Sequence, residues 1–169
     1  MLLQVPIGSR TPDEEVLFLR AHTTRPDPPY IPTGGVKVLV KHRHSDLCLF
    51  MRTPGTSKAE PYVERCPGKN QDIAIHLRWV WHEGTGTLRV MSRCLASTKD
   101  KLLGVPRCLP EQSHSWSYQG TSGVIQSLST GQCLAVNKSS ARAVPTVMEC
   151  ELASAVQSWS FIVLSVISS

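Results

Sequence analysis

The sequence predicts an all-β domain made of three repeats of about 40 residues sharing one core. Three observations carry this. The chain from Val36 onward is a series of short apolar runs broken by Gly, Ser, Thr and Pro, and few windows show a helical period. The six cysteines fall into three similar pairs: Cys48-Leu49 precedes Cys66 by 18 residues, Cys94-Leu95 precedes Cys108 by 14, and Cys133-Leu134 precedes Cys150 by 17. A tryptophan follows each pair, at Trp79, Trp116 and Trp159.

Residues 1–35 read differently. RPDPPYIPTGG, Arg25 to Gly35, holds four prolines and ends in two glycines. Proline removes backbone donors and fixes φ, so this stretch predicts a disordered tail and linker. The repeat domain is expected over 36–169, with repeats at about 36–81, 82–122 and 123–165. In the first, VKVLVKH alternates, with Val36, Val38 and Val40 on one side and Lys37, Leu39 and Lys41 on the other. TLRVMS opens the second repeat and GVIQSLS the third, and TVMEC leads into Cys150; each reads as a strand of four to six residues.

One such unit cannot bury its own apolar face, so three must pool their cores, and a tryptophan from each supplies a large ring near a common axis. In the last repeat, AVQSWSF, Gln157 stands two residues before Trp159 and is expected to hydrogen-bond nearby backbone. In the first, HLRWVW, Leu77 takes that place. In the second, SHSWSYQ, Ser113 and His114 are read as offset from it. Pairing within each repeat, Cys48–Cys66, Cys94–Cys108 and Cys133–Cys150, is the expectation from the repeat; buried unpaired cysteines are the alternative. Each disulfide would close a loop of about 15 residues, worth roughly 3 kcal/mol in the chain-entropy model.

Composition narrows the function. No CxxC occurs, so the usual zinc and thioredoxin spacings are missing. His42 and His44 alternate on a strand without a third ligand at a recognisable spacing, so no metal or other cofactor is expected. No GxSxG or activated nucleophile stands out, and no enzyme is expected. The net charge of +5 suits an acidic partner. KVLVKHRH concentrates Lys37, Lys41 and Arg43, which could hold sulfate or phosphate; a solvated edge strand is the plainer reading. Aromatic residues do not interleave with these charges, which argues against nucleic acid. FIVLSVI, Phe161 to Ile167, is too short for a membrane span. MLLQVPIGSR is too short in its apolar run for a secretory signal, so if the cysteines pair, the chain is read as a fragment, a mispredicted start or an unconventional product.

Two further residues are candidates for ligand contact. Asn137-Lys138-Ser139 is an N-glycosylation sequon; unmodified, Asn137 is the best polar ligand residue in its repeat. Trp81 falls outside the repeat frame and, two residues from Trp79, shares its face; it serves either as core packing or as a partly exposed stacking platform.

The triple Cys-Leu, second Cys and Gln-x-Trp pattern resembles the ricin-type lectin domains over about Val36 to Val163, most fully in GQCLAVNKSSARAVPTVMECELASAVQSWSF. LRWVWHEGTGTLRVMSRCLAS also looks like the cysteine-rich N-terminal domain of the mannose receptor family. The resemblance implies a β-trefoil of twelve strands with pseudo-threefold symmetry, no catalysis, and one shallow sugar pocket possible per repeat. In such repeats an Asp follows the first Cys, an aromatic ring stacks on the sugar, and an Asn precedes Gln-x-Trp. This chain departs from that pattern. Phe50 and Met51, Ala96 and Ser97, and Ala135 and Val136 follow the three Cys-Leu pairs, and Val156 precedes Gln157. A galactose-type site is therefore expected to be lost, and the mannose-receptor platform would fall near Val156.

The function this implies is non-catalytic recognition of glycans or glycoproteins, sulfated ones included, outside the cell or in the secretory-pathway lumen. The chain is expected to act as a monomeric module of a larger protein that does not insert into membranes. The alternatives are a trefoil that has become a protein-interaction or structural module, and a binder of sulfated polysaccharide through Lys37, Lys41 and Arg43.

Overall fold

A computed structural model describes residues 34–52, 59–99, 101–106, 108, 114–137 and 144–167. Residues 1–33 of the tail expected over 1–35, Ser113 and the last two sequon residues lie outside them, and Gly35 of that tail begins the first strand. Twelve strands follow in order: β1 (Gly35–His42), β2 (Leu47–Arg52), β3 (Glu60–Arg65), β4 (Trp79–His82), β5 (Thr87–Val90), β6 (Arg93–Thr98), β7 (Lys101–Val105), β8 (Trp116–Gln119), β9 (Val124–Ser127), β10 (Cys133–Ala135), β11 (Thr146–Met148) and β12 (Trp159–Ile167). They come four to a repeat, as expected of a β-trefoil. The second and third strands of each repeat form a hairpin, β2–β3, β6–β7 and β10–β11, while the outer strands pair from repeat to repeat. Antiparallel β1–β12 pairing closes the chain on itself, from Gly35↔Ile167 to His42↔Trp159.

The Cys-Leu step explains why the repeats fold alike. Neighbouring residues on a strand face opposite ways. In β2, Leu49 and Met51 enter the main core, while Cys48 and Phe50 face outward into a smaller cluster with Leu39 and Leu77. All three expected disulfides are present, Cys48–Cys66, Cys94–Cys108 and Cys133–Cys150. Trp79, Trp116 and Trp159 are fully enclosed. Each indole Nε1 donates to the carbonyl of its own repeat's Cys-Leu leucine: Leu49 at 2.8 Å, Leu95 at 3.0 Å and Leu134 at 2.9 Å. Satisfying the one polar atom of a buried tryptophan removes the main cost of burying it.

Two glycines join the repeats. Gly86 and Gly123 lie in the turns before β5 and β9, at φ +70° and +78°. Their carbonyls accept from the backbone N–H of Trp116 and Trp159, at 2.7 and 2.8 Å. A side chain there would meet the tryptophan carbonyl oxygen at 2.5 or 2.7 Å, so glycine is required twice over.

Trp81 is not outside the frame. Its counterparts are Tyr118 and Phe161, each two residues after the repeat tryptophan. Phe161 stacks on Tyr118 with centroids 4.0 Å apart and meets Trp81 at 5.3 Å. One aromatic from each repeat thus converges, and Trp81, only 9% exposed, belongs to the main core. That burial corrects the reading of Trp81 as a stacking platform.

Candidate functional site

In the third repeat, Gln157 does the work expected of it. It is buried, its Nε2 donates to the Glu149 carbonyl at 2.6 Å, and its Oε1 accepts from the Glu151 N–H at 2.8 Å. It ends a 3-10 turn at Ala155–Gln157, and the matching turn of the first repeat is Ile75–Leu77. His114 stands at the same two-residue distance from Trp116 and is buried. The second repeat therefore places a histidine in the glutamine position, and the offset read from sequence is corrected.

The basic strand is largely spent on the fold. Arg43 donates to the Ser160 hydroxyl at 3.1 Å and to the carbonyls of Thr121, Gly120 and Trp159 at 3.2, 3.1 and 3.1 Å. It laces the first repeat to the β8–β9 turn and to β12. Lys41 Nζ donates to the Ser45 carbonyl at 2.9 Å, closing the β1–β2 turn. His42 is buried edge-on to Trp159 at 5.2 Å, with Nδ1 2.8 Å from the Ser45 hydroxyl. Burial pulls its pKa below the usual histidine value; the nearby Ala155 and Val156 carbonyls oppose this, while the charges of His44 and Lys41 reinforce it. Lys37 and His44 remain exposed. A sulfate cradle formed by Lys37, Lys41 and Arg43 is thus corrected: two of the three side chains already hold backbone carbonyls.

Asn137 is exposed just beyond β10. Next to it, Val136 is buried and its N–H donates to the Val156 carbonyl at 3.0 Å. The third-repeat surface is thus backed by Ala135, Val136 and Val156, and the second carries buried Ala96 after its Cys-Leu. Neither offers a carboxylate at that position.

The first repeat is different. Phe50, directly after Cys48-Leu49, pairs across the hairpin with Tyr62, their rings 5.3 Å apart. The His76 ring, from the turn before Trp79, meets Phe50 on another side at 4.8 Å. The Arg52 guanidinium lies 4.6 Å over the Tyr62 ring, and the Tyr62 hydroxyl donates to the Glu64 carboxylate at 3.2 Å. Phe50 is buried, Tyr62, Glu64 and His76 are half-buried, and Arg52 is exposed. Sequence reasoning missed this face. Phe50 was seen only as a missing acid, and nothing in the spacing set Tyr62 opposite it before the β2–β3 register was known. What the face offers is two half-buried rings, Tyr62 and His76, a carboxylate acceptor and one cationic donor in one place.

Among the described residues, no group of three His, Cys, Asp or Glu side chains converges to hold a metal. No helix of the described residues is long and apolar enough to cross a membrane.

The family model for the ricin-type beta-trefoil lectin domain matches residues 36–159. No curated protein gives a significant match. Solved structures similar to this chain include GalNAc-T7 with UDP, GalNAc and Mn2+, at 15% identity and TM-score 0.57, covering 88% of this chain and 26% of that one. A non-toxic homologue of type II RIPs from Momordica charantia (bitter gourd), in complex with α-methyl-D-galactoside, aligns at 19% identity and TM-score 0.62, covering 77% of this chain and 48% of that one. The C-half of the earthworm R-type lectin, in complex with GalNAc, aligns at 13% identity and TM-score 0.62, covering 76% and 98%. The chain thus spans about a quarter of the first of these and about half of the second. At these identities the likeness establishes the fold.

Proposed function

The chain belongs to the ricin-type β-trefoil lectin domain family, and on that premise we propose that it is a non-catalytic carbohydrate-binding module whose ligand face is the first repeat. All three of these solved neighbours are described with a sugar, which supports carbohydrate binding in general terms. The observation that carries the assignment to one repeat is the pair of half-buried rings, Tyr62 and His76, that rest on buried Phe50, with Glu64 and Arg52 beside them. Sugars present C–H faces that stack on aromatic rings and hydroxyls that need acceptors, and this face supplies both. Buried Phe50 takes the place of an acidic acceptor, so orientation falls to Glu64 and Arg52. Three disulfides support a setting outside the cell or in the secretory lumen. The share of the longer neighbours that is covered supports a module within a larger protein.

A second reading is a trefoil that recognises protein rather than sugar. It is favoured by Phe50, Ala96 and Ala135, none of them acidic, after the three Cys-Leu pairs. A glycan array with the oxidised full chain, at low and physiological salt, separates the two. Salt-resistant binding to a defined sugar, lost in Tyr62→Ala and kept in Asn137→Ala, supports the first-repeat lectin. A blank array from folded protein favours the second reading. Binding only to sulfated chains at low salt would return the site to exposed cations such as Lys37.

A further inference from the structure

Arg52 differs from every other described arginine. Arg43, Arg78, Arg89 and Arg93 each donate to a backbone carbonyl, and Arg65 lies 3.9 Å from the Asp46 carboxylate. Arg52, exposed at the end of β2, holds no protein oxygen among the described residues. Its guanidinium rests instead on the Tyr62 ring, 4.6 Å from the centroid. The ring fixes where the guanidinium sits without consuming its N–H groups, so the fork stays open to a ligand. The His76 ring beside Phe50 likewise makes no hydrogen bond among the described residues and adds an uncommitted N–H donor.

We propose that Arg52 is the specificity-determining residue of this face and reads a carboxylate, so that the ligand is an acidic sugar, a uronic or sialic acid. The proposal rests on the reading of the first repeat as the ligand face. Because Arg52 covers the Tyr62 ring, a sugar that stacks there must displace the guanidinium. An anionic sugar compensates for that displacement: the guanidinium exchanges a ring contact for two parallel, charge-assisted N–H···O bonds to the carboxylate edge. A neutral sugar offers no such exchange. The chain's own carboxylates limit the charge the face accepts. The β2–β3 register places Glu60 opposite Arg52, and Glu60, Tyr62 and Glu64 share the outward side of β3. Glu64 already accepts from the Tyr62 hydroxyl at 3.2 Å. Glu60 is exposed and makes no ion pair among the described residues, so it is the internal competitor for the guanidinium. Two carboxylates beside one guanidinium disfavour a dense polyanion, and a single acidic group is the fit.

The test titrates the oxidised full chain with glucuronic acid against glucose and galacturonic acid against galactose, read by amide and arginine side-chain NMR at physiological salt. Each acid differs from its hexose only in a carboxylate at C6. Wild type is expected to bind the better acid about tenfold more tightly than its hexose, the scale of one charge-assisted pair. Arg52→Gln is expected to bring that ratio to about one, and Glu60→Gln to raise it about twofold. Both side chains are exposed, so the variants are expected to keep the wild-type Tm. A ratio of one in wild type, with binding lost in Tyr62→Ala, would overturn the proposal and leave the first repeat as the ligand face. Binding of none of the four sugars, or binding that survives Tyr62→Ala in folded protein, would overturn that face and the proposal with it. A preference for the acid that persists in Arg52→Gln assigns the carboxylate to another residue and overturns the proposal. A ratio unmoved in Glu60→Gln keeps Arg52 and overturns the part given to Glu60. N-acetylneuraminic acid binding more tightly than either uronic acid, and losing this in Arg52→Gln, supports the proposal with sialic acid as the source; the reverse order supports it with a uronic acid. Glucose 6-sulfate binding as tightly as the uronic acids would overturn the carboxylate assignment.

Discussion

The Nε1 of Trp159 donates a 2.9 Å hydrogen bond to the carbonyl of Leu134, and the backbone N–H of the same tryptophan donates 2.8 Å to the carbonyl of Gly123. One residue thereby fixes both the inside of its repeat and the seam at the turn that opens it. Trp116 repeats the arrangement with Leu95 and Gly86. Gly123→Ala and Gly86→Ala are each expected to cost about 3 kcal/mol, from left-handed strain plus contact with the tryptophan carbonyl. Urea unfolding with disulfides intact measures this. Gly131, also left-handed but with nothing near it, is the control and should lose only about 1 kcal/mol as Ala.

Gln157 is the next weak point. Truncation to Ala leaves the Glu149 carbonyl and the Glu151 N–H without their partner, at a cost of about 2 kcal/mol, or roughly 5 °C in Tm. The first repeat fills this position with buried Leu77, so Leu77→Ala should also destabilise, through a cavity rather than lost hydrogen bonds. Calorimetry on the two variants distinguishes them from a surface control such as Leu152→Ala.

The repeat was legible in the sequence because Cys-Leu and Trp recur unchanged. What changed identity between copies was hidden. Trp81, Tyr118 and Phe161 share a two-residue offset from the repeat tryptophan, but three different rings mask the repeat until their convergence is seen. His114 reads as offset from the glutamine position, although it stands two residues before Trp116 as Gln157 does before Trp159. Arg43 read as an anion ligand because its four acceptors are 77 to 117 residues away, at a distance no local window covers. The first-repeat face needed the β2–β3 register, which no short motif specifies.

Buried hydroxyls couple the second and third repeats. Ser97 and Ser127 Oγ atoms lie 2.6 Å apart, and Ser127 also accepts from the N–H groups of Ser129 and Thr130 at 3.2 and 3.3 Å. Ser127→Ala is expected to cost more than Ser97→Ala, about 2 against about 1 kcal/mol. The double variant should cost less than their sum, since the shared bond is lost only once. Additive values within about 0.3 kcal/mol would show that the pair is not coupled.

Acid should weaken the β1–β12 closure through His42. Burial lowers its folded pKa, so between that value and about 6.5 the unfolded chain carries a proton that the folded chain does not. The unfolded state then binds more protons, and stability falls as pH drops below about 6.5. The loss stops once pH passes the folded pKa, and at higher pH the contribution is fully present. Urea midpoints at pH 7.5 and 5.5 should differ more for wild type than for His42→Gln. Equal pH slopes would remove His42 from the account.

The ligand face makes the final prediction. Tyr62→Ala removes the ring beneath Arg52, the cross-strand partner of Phe50 and the donor to Glu64 in one change. It should abolish glycan binding at the first repeat. Tyr62→Phe keeps the ring and loses only the hydroxyl, so it should retain stacking and weaken binding about tenfold, the scale of one hydrogen bond to a charged group. Glu64→Gln keeps an acceptor oxygen but loses the charge, and should fall between them. Because Tyr62 is half-buried and Phe50 rests on it, each variant is first matched to wild type in Tm. Binding that survives Tyr62→Ala in folded protein would move the sugar to another repeat. The exposed Asn137 surface is then the place to substitute next.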